Sequence, residues 1–304
     1  MIQQRQFGTN NQYSWFTINA ETTDLANVVV DDYQLDTEAI TYALDKNERA
    51  HIDYDSDKDR LLVVYNALNL KKDDNHYETI PITFIATDDS LITIVNEENR
   101  YVTDLIATAL NRHEEQSIFN LLFTSLTMIS NRYFPVMDEI DREKDRLNAL
   151  LRKTTTKESL LALSDLETGS VYILAAANQN VLLLEQLKSH PRFRHLKEEE
   201  LEQLDDALIE ARQLASMSQL HSQILQQLSS AFNNVLNNNL NDNLTKLTIM
   251  SILLAVLAVI TGFFGMNVPL PFSQNGSAWI FISLASIMLW ILGAFLLKYL
   301  IKQK

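Results

Sequence analysis

LTIMSILLAVLAVITGFF, residues 247–264, and AWIFISLASIMLWILGAFLL, residues 278–297, are the two stretches whose reading decides the fold. Between Leu247 and Leu297 there is no Asp, Glu, Lys or Arg. At about 1.5 Å of rise per residue the two runs reach roughly 27 and 30 Å, the thickness of a bilayer's hydrocarbon core. In lipid the backbone must satisfy its own hydrogen bonds, so each run is predicted to be a membrane-spanning helix. The polar stretch Met266–Ser277 separates them, and Pro269 and Pro271 stop the first helix from continuing into the second.

The charges around this hairpin set its expected orientation. Lys246 precedes the first run, and Lys298, Lys302 and Lys304 follow the second, so all four basic residues fall at one end. The positive-inside rule puts that end in the cytoplasm and the uncharged loop outside. Trp279 and Tyr299 suit interfacial anchoring. The first residues, MIQQRQFGTN, contain no apolar signal region, so no cleaved secretory peptide is expected. Both termini are then expected in the cytoplasm, at a plasma or inner membrane.

The rest of the chain is acidic. Of 304 residues, 39 are Asp or Glu and 25 are Lys or Arg, a formal net charge of −14. Asp242 is the last acid; residues 1–242 hold 39 acids against 21 bases, a net of −18, and residues 243–304 carry +4. Such a field repels nucleic-acid phosphates and attracts cations. With no cysteine there is no disulfide framework, Cys zinc site, iron–sulfur cluster or thiol nucleophile. None of the six glycines sits in a P-loop or dinucleotide motif, and no nucleophile–base pair is visible, so neither an enzyme nor an organic cofactor is expected.

Residues 1–115 read as a mixed α/β cytoplasmic domain. Strands are predicted over Tyr13–Ile18, Arg60–Ala67, Tyr77–Thr87 and Leu91–Val95, where β-branched and aromatic residues gather between polar turns. Pro81 implies that its strand starts late or lies at a sheet edge. Asp36–Arg49 reads as a helix. Asp53, Asp55, Asp57 and Asp59 alternate like a Ca²⁺ loop, but Lys58 stands where such a loop needs Gly and Val64 where it needs Glu, so a solvated turn is expected. Asp31-Asp32, Asp88-Asp89 and His113-Glu114-Glu115 are ambiguous.

Residues 116–246 read as helical, a coiled-coil-like stalk region. Thr155 and Glu158 offer a capping box for a helix that ends near His190-Pro191. Beyond it Leu201, Leu204, Leu208, Ala211, Leu214, Met217, Leu220, Ile224, Leu228, Phe232 and Val235 recur every three or four residues, with no Gly or Pro between Pro191 and Gly262. One helix from about Lys197 to Phe264 would be about 100 Å long and needs partner helices or subunits for its apolar stripe. Residues 247–304 form the expected transmembrane hairpin. The fold class is therefore α+β, with the stalk continuing into the first of two C-terminal spans.

The first span ends Thr261-Gly262-Phe263-Phe264-Gly265-Met266-Asn267. This resembles the signature of the CorA family of divalent-cation transporters, whose Gly-Met-Asn triplet closes the first of two C-terminal spans, and the resemblance extends over the whole layout. It implies a homo-oligomeric, pentameric Mg²⁺ channel in which Gly265, Met266 and Asn267 form the outer selectivity ring, with Asn267 meeting the hydrated ion. It also implies that cytoplasmic Mg²⁺ bound between subunits closes the pore, through carboxylates not identifiable here. Mg²⁺ dehydrates reluctantly, so neutral amide oxygens that hydrogen-bond its waters are apt chemistry, and such binding stays weak enough for release.

Counting back from Asn267 at helical spacing, Gly262, Ala258, Ala255, Ser251, Thr248, Leu247 and Leu244 would line the axis, followed inward by Asn241, Asn237 and Asn234. Gly262 and Gly265 would let helices approach closely. AFNNVLNNNLNDNL, residues 231–244, holds seven Asn in fourteen residues; it is either a polar inner mouth or a polar stalk surface. Leu244 and Leu247 would form a hydrophobic constriction that gates by dewetting. The outer loop Val268–Ser277 lacks the carboxylates many relatives place there. A divalent ion falling through 100 mV gains roughly 4.6 kcal/mol, enough for influx without nucleotide. Met266 favours Mg²⁺; transport of Zn²⁺, Co²⁺ or Ni²⁺ on the same scaffold, and a non-transporting membrane tether or sensor, are the alternatives.

Overall fold

The computed structural model describes residues 2–21, 37–112, 116–153, 155–266 and 278–302. The chain forms two compact units, Met1–Ser230 and Ala231–Lys304. Asp31-Asp32, His113-Glu114-Glu115, Asn267 and the loop Val268–Ser277 lie outside the described residues.

The first unit is built on six described strands: β1 (Ile2–Phe7), β2 (Tyr13–Asn19), β3 (His51–Asp55), β4 (Arg60–Leu68), β5 (Thr79–Ala86) and β6 (Ser90–Val95). They lie in the order β1-β2-β6-β5-β4-β3, antiparallel except for the β2–β6 pair. All nine residues of β4 are buried, because helices cover both faces of the sheet at its centre. On one face, Ile18, Leu62, Val64, Ile85, Ile92 and Ile94 form an aliphatic cluster with Ala39 and Ile40 of helix α1 (Thr37–Leu44). Leu62, Ile85 and Ile92 stand in one cross-strand row, the period-2 alternation expected of paired strands.

Helices α2 (Tyr101–Arg112), α3 (Ile118–Asn131), α4 (Phe134–Lys153) and α5 (Lys157–Ser189) follow. α3 and α5 pack on the central strands. β3 pairs with β4 only as far as His51–Val64, which leaves the backbone of Asn66 without a strand partner on that side. Asn180 of α5 substitutes for one. Its Oδ1 accepts from the Asn66 amide at 2.9 Å and its Nδ2 donates to the Asn66 carbonyl at 2.9 Å. Tyr133 O–H donates to the same carbonyl at 3.0 Å, and the Tyr65 hydroxyl meets that of Ser130 at 2.8 Å.

α5 is long and apolar enough to cross a membrane, but it buries Asn180 together with Leu163, Ile173, Leu183, Leu184 and Leu187 against the rest of the first unit. It starts one residue later than Thr155 implies. Thr156 is the N-cap and accepts from the Ser159 amide at 3.2 Å, whereas the Thr155 hydroxyl turns back to the Leu151 carbonyl. Pro81 also departs from expectation, since β5 starts before it and lies between β4 and β6. The β5–β6 pairing covers only Thr83–Ala86, so no ladder bond is lost at Pro81, and the Asn99 Nδ2 donates to its carbonyl at 2.9 Å.

A 3-10 turn, Pro191–His195, links α5 to helix α6 (Glu198–Phe264). Arg192 in this turn bonds both oxygens of Asp59 at 2.9 and 3.1 Å and Asp88 at 3.2 Å, tying together the β3–β4 and β5–β6 turns. The Arg192 guanidinium, with Tyr54 O–H, holds the Asp59 carboxyl below the usual carboxylate range. Asp55 accepts from the Asp57 and Lys58 amides, so the alternating acids form the expected turn. At the start of α6, buried Glu200 accepts from the Lys197 amide at 2.9 Å and from the Ser117 hydroxyl, the N-cap of α3, at 2.6 Å. The second unit holds the remainder of α6 and helix α7 (Ala278–Lys302).

Asn180→Leu leaves the Asn66 amide and carbonyl buried with fewer partners, and should lower stability by about 2–4 kcal/mol in thermal melts of the full chain. Arg192→Met should destabilise most near neutral pH. The depressed Asp59 pKa contributes stability above the ordinary carboxylate range and loses it as pH falls through the lower folded value, so the deficit of the variant should shrink below about pH 4.

Candidate functional site

α6 is one unbroken helix of 67 residues, and it carries all ten positions of the expected axial track from Asn234 to Gly262. Leu, Ala, Val and Ile dominate its membrane-length window, in which no residue is buried within the chain. The helix closes where Gly265 N–H donates to the Thr261 carbonyl at 2.9 Å. A Cβ on Gly265 would lie 3.1 Å from that same carbonyl, a tight contact within its own turn. At Gly262 a Cβ would meet nothing within 4 Å, leaving open space beside it. Met266 is exposed.

The two faces of α6 differ in what they meet. Thr245, Ile249, Leu253, Leu257 and Ile260 are half-buried and recur every three or four residues. Ile282, Ser286 and Gly293 are half-buried on α7, and a Cβ on Gly293 would touch Leu253 Cδ2 at 3.9 Å. This is the contact face between the two helices of the second unit, and the small residues Ser286 and Gly293, seven apart, were its signal in the sequence. At about 100° per residue, Asn237, Leu244, Ser251, Ala255 and Gly262 lie on the opposite side of α6. Leu247, Thr248, Ala258 and Asn241 flank that line, and Asn234 lies near its edge. All ten positions are exposed within the single chain.

The track is uncharged along the apolar span, and its polar atoms are hydroxyls with fixed donors. Thr248 Oγ1 donates to the Leu244 carbonyl at 2.8 Å, and Ser251 Oγ donates to the Leu247 carbonyl at 2.9 Å. Thr261, to one side, donates to the Leu257 carbonyl at 2.9 Å. Chemically, the face offers amides at its N-terminal end, then two leucines, two hydroxyl oxygens and a run of small side chains. Among the described residues, no group of three or more His, Asp or Glu side chains is arranged to hold a metal ion.

The sequence profile of the family described as CorA-like Mg²⁺ transporter protein matches residues 10–299. No curated protein matches the chain in sequence. Among solved structures, the complete CorA magnesium transporter from Methanocaldococcus jannaschii is similar at TM-score 0.77 and 19% identity, over 96% of this chain and 91% of that one. Full-length CmaX is similar at TM-score 0.69 and 14% identity, over 92% of this chain and 87% of that one. The ZntB cytoplasmic domain from Vibrio parahaemolyticus reaches TM-score 0.59 at 11% identity, over 76% of this chain and 88% of that one. At these identities the likenesses bear on the fold, and it is the profile, matching nearly the whole sequence, that carries membership: the chain belongs to the CorA-like Mg²⁺ transporter family.

Proposed function

We propose that this chain is the subunit of a Mg²⁺ channel that admits hydrated ions down the membrane potential. Five copies would surround one axis, each contributing the Asn237–Gly262 face of α6. The observation that carries this reading is the opposition of faces on α6: the helix spends one side on α7 and keeps the other, uncharged and exposed, for something outside the chain. Two spans cannot enclose a polar path, so the exposed face requires further copies. In this reading Asn267, with Gly265 and Met266, forms the outer ring, and Leu244 and Leu247 form the inner constriction.

The arrangement in the membrane follows from the sequence. Residues 1–115 form the α/β domain and 116–246 the helical stalk region, both in the cytoplasm. Residues 247–304 form the hairpin in a plasma or inner membrane, with both termini inside. Cytoplasmic Mg²⁺ would favour the closed state. Since the described part of one chain brings no three carboxylates together, the regulatory ion fits best between subunits, where the net charge of −18 on residues 1–242 concentrates cations. No organic cofactor has a role. Zn²⁺, Co²⁺ and Ni²⁺ are the rival cargoes to compare on the same scaffold.

In liposomes holding the full chain under a set potential, Mg²⁺ should enter faster than Zn²⁺, Co²⁺ or Ni²⁺. Asn267→Ala should cut that entry at least tenfold while membrane insertion is retained; wild-type entry by this variant removes Asn267 from the ion path. Millimolar Mg²⁺ on the cytoplasmic side should slow proteolysis of the helices between residues 116 and 246. Equal digestion with and without Mg²⁺ argues against regulation by the ion.

A further inference from the structure

We infer that Thr248 and Ser251 form an acceptor-only station for the hydrated cation, on the outer side of the Leu244–Leu247 constriction. The inference rests on the pore reading above and adds to it a specific role for two hydroxyls. Three observations carry it. Both residues lie on the exposed side of α6, away from the face that meets α7, whereas Ser286, the hydroxyl that α7 turns toward α6, is half-buried. Both donate their only hydroxyl hydrogen to a backbone carbonyl one turn back, at 2.8 and 2.9 Å. The carbonyls they occupy are those of Leu244 and Leu247 themselves.

The chemistry follows from where the hydrogens are. A hydroxyl has one hydrogen and two lone pairs. Once the hydrogen is held by the backbone, the oxygen can only accept. Water bound to a divalent cation points its oxygens at the metal and its hydrogens outward, and the metal polarises those O–H bonds into stronger donors. A ring of oxygens that can only accept therefore matches the outer surface of a hydrated cation. It stabilises the ion without asking it to give up water, which Mg²⁺ does reluctantly. Seated beside two rings of leucine, this station would offset part of the cost of entering the dewetted constriction. The small residues Ala255, Ala258 and Gly262 beyond it leave width for a hydrated ion to reach it.

The test uses the full chain in liposomes, Mg²⁺ as the probe ion and a trapped Mg²⁺-sensitive dye. The Thr248→Val, Ser251→Ala double variant keeps nearly the same shape and loses both acceptors; its Mg²⁺ entry should fall roughly tenfold. The exchanged pair Thr248→Ser, Ser251→Thr alters the methyl groups and keeps both hydroxyls, and should stay within about twofold of the wild type. The two single variants, which each keep one hydroxyl, should fall between these limits. Wild-type entry in the double variant overturns the assignment, and so does an equal loss in the exchanged pair, which would make the effect one of shape. Asn267→Ala and Leu247→Asn are measured alongside. If these two change entry while the double variant does not, only the hydroxyl station falls. If neither changes entry, the pore reading falls and this inference with it.

Discussion

A helix in hydrocarbon has nowhere to send its backbone hydrogen bonds except along itself, and everything else in this chain is arranged around that requirement. α6 meets it by excluding Gly and Pro from the whole stretch between Pro191 and Gly262. Its span hydroxyls obey the same rule, since Thr248, Ser251 and Thr261 all donate to carbonyls of their own helix. In the pore reading, the side-chain oxygens of Thr248 and Ser251 meet the cation as acceptors, because their hydrogens are already committed.

The acidic residues serve two ends that are easily confused. Many of them are local structural devices. Asp55 closes the β3–β4 turn, Asp59 and Asp88 hold Arg192, and Glu200 caps the start of α6 while bonding the cap of α3. None of these clusters is a ready-made chelate. The net −18 on residues 1–242 acts instead as a field, drawing cations toward the surface without fixing them. In the proposed reading, a regulatory site on such a surface draws its carboxylates from more than one chain, so its occupancy would depend on how the subunits assemble.

The two C-terminal apolar helices and the length of α6 were legible in the sequence because their signals are local: charge-free runs of the right length and an uninterrupted three-to-four spacing. The buried strands β4, β5 and β6 were legible for the same reason. The two strands that escaped, IQQRQF and HIDYD, are the two edges of the sheet, half-exposed and polar; the first has no alternation, and the acids of the second read as part of a turn. The α5 cap was misplaced by one position within three successive threonines whose local chemistry is identical. Asn180 gave no signal at all, since its partner Asn66 lies 114 positions away in the chain. Pro81 misled because its effect depends on where β6 stops pairing, which only the register reveals. At the candidate site, periodicity picked out one exposed face of α6, while the face that meets α7 emerged only once both helices were in place.

The composition of the exposed face argues for what must lie against it. Lipid tails would favour leucine, isoleucine and phenylalanine, as α7 provides on its exposed side with Ile280, Phe281, Leu284, Ile287, Leu292 and Phe295. The axial face of α6 instead sets Ser251, Ala255, Ala258 and Gly262 side by side, groups too small to gain much from contact with hydrocarbon. Open water would not call for leucine at 244 and 247, nor would a dry helix–helix seam call for asparagines at 234, 237 and 241. A face that is narrow and apolar at one level, small and oxygen-bearing at the next, and rich in amides at its inner end suits a wet passage of varying width. In the proposed reading, several copies of the helix stand around that passage, since the faces of one chain cannot enclose it.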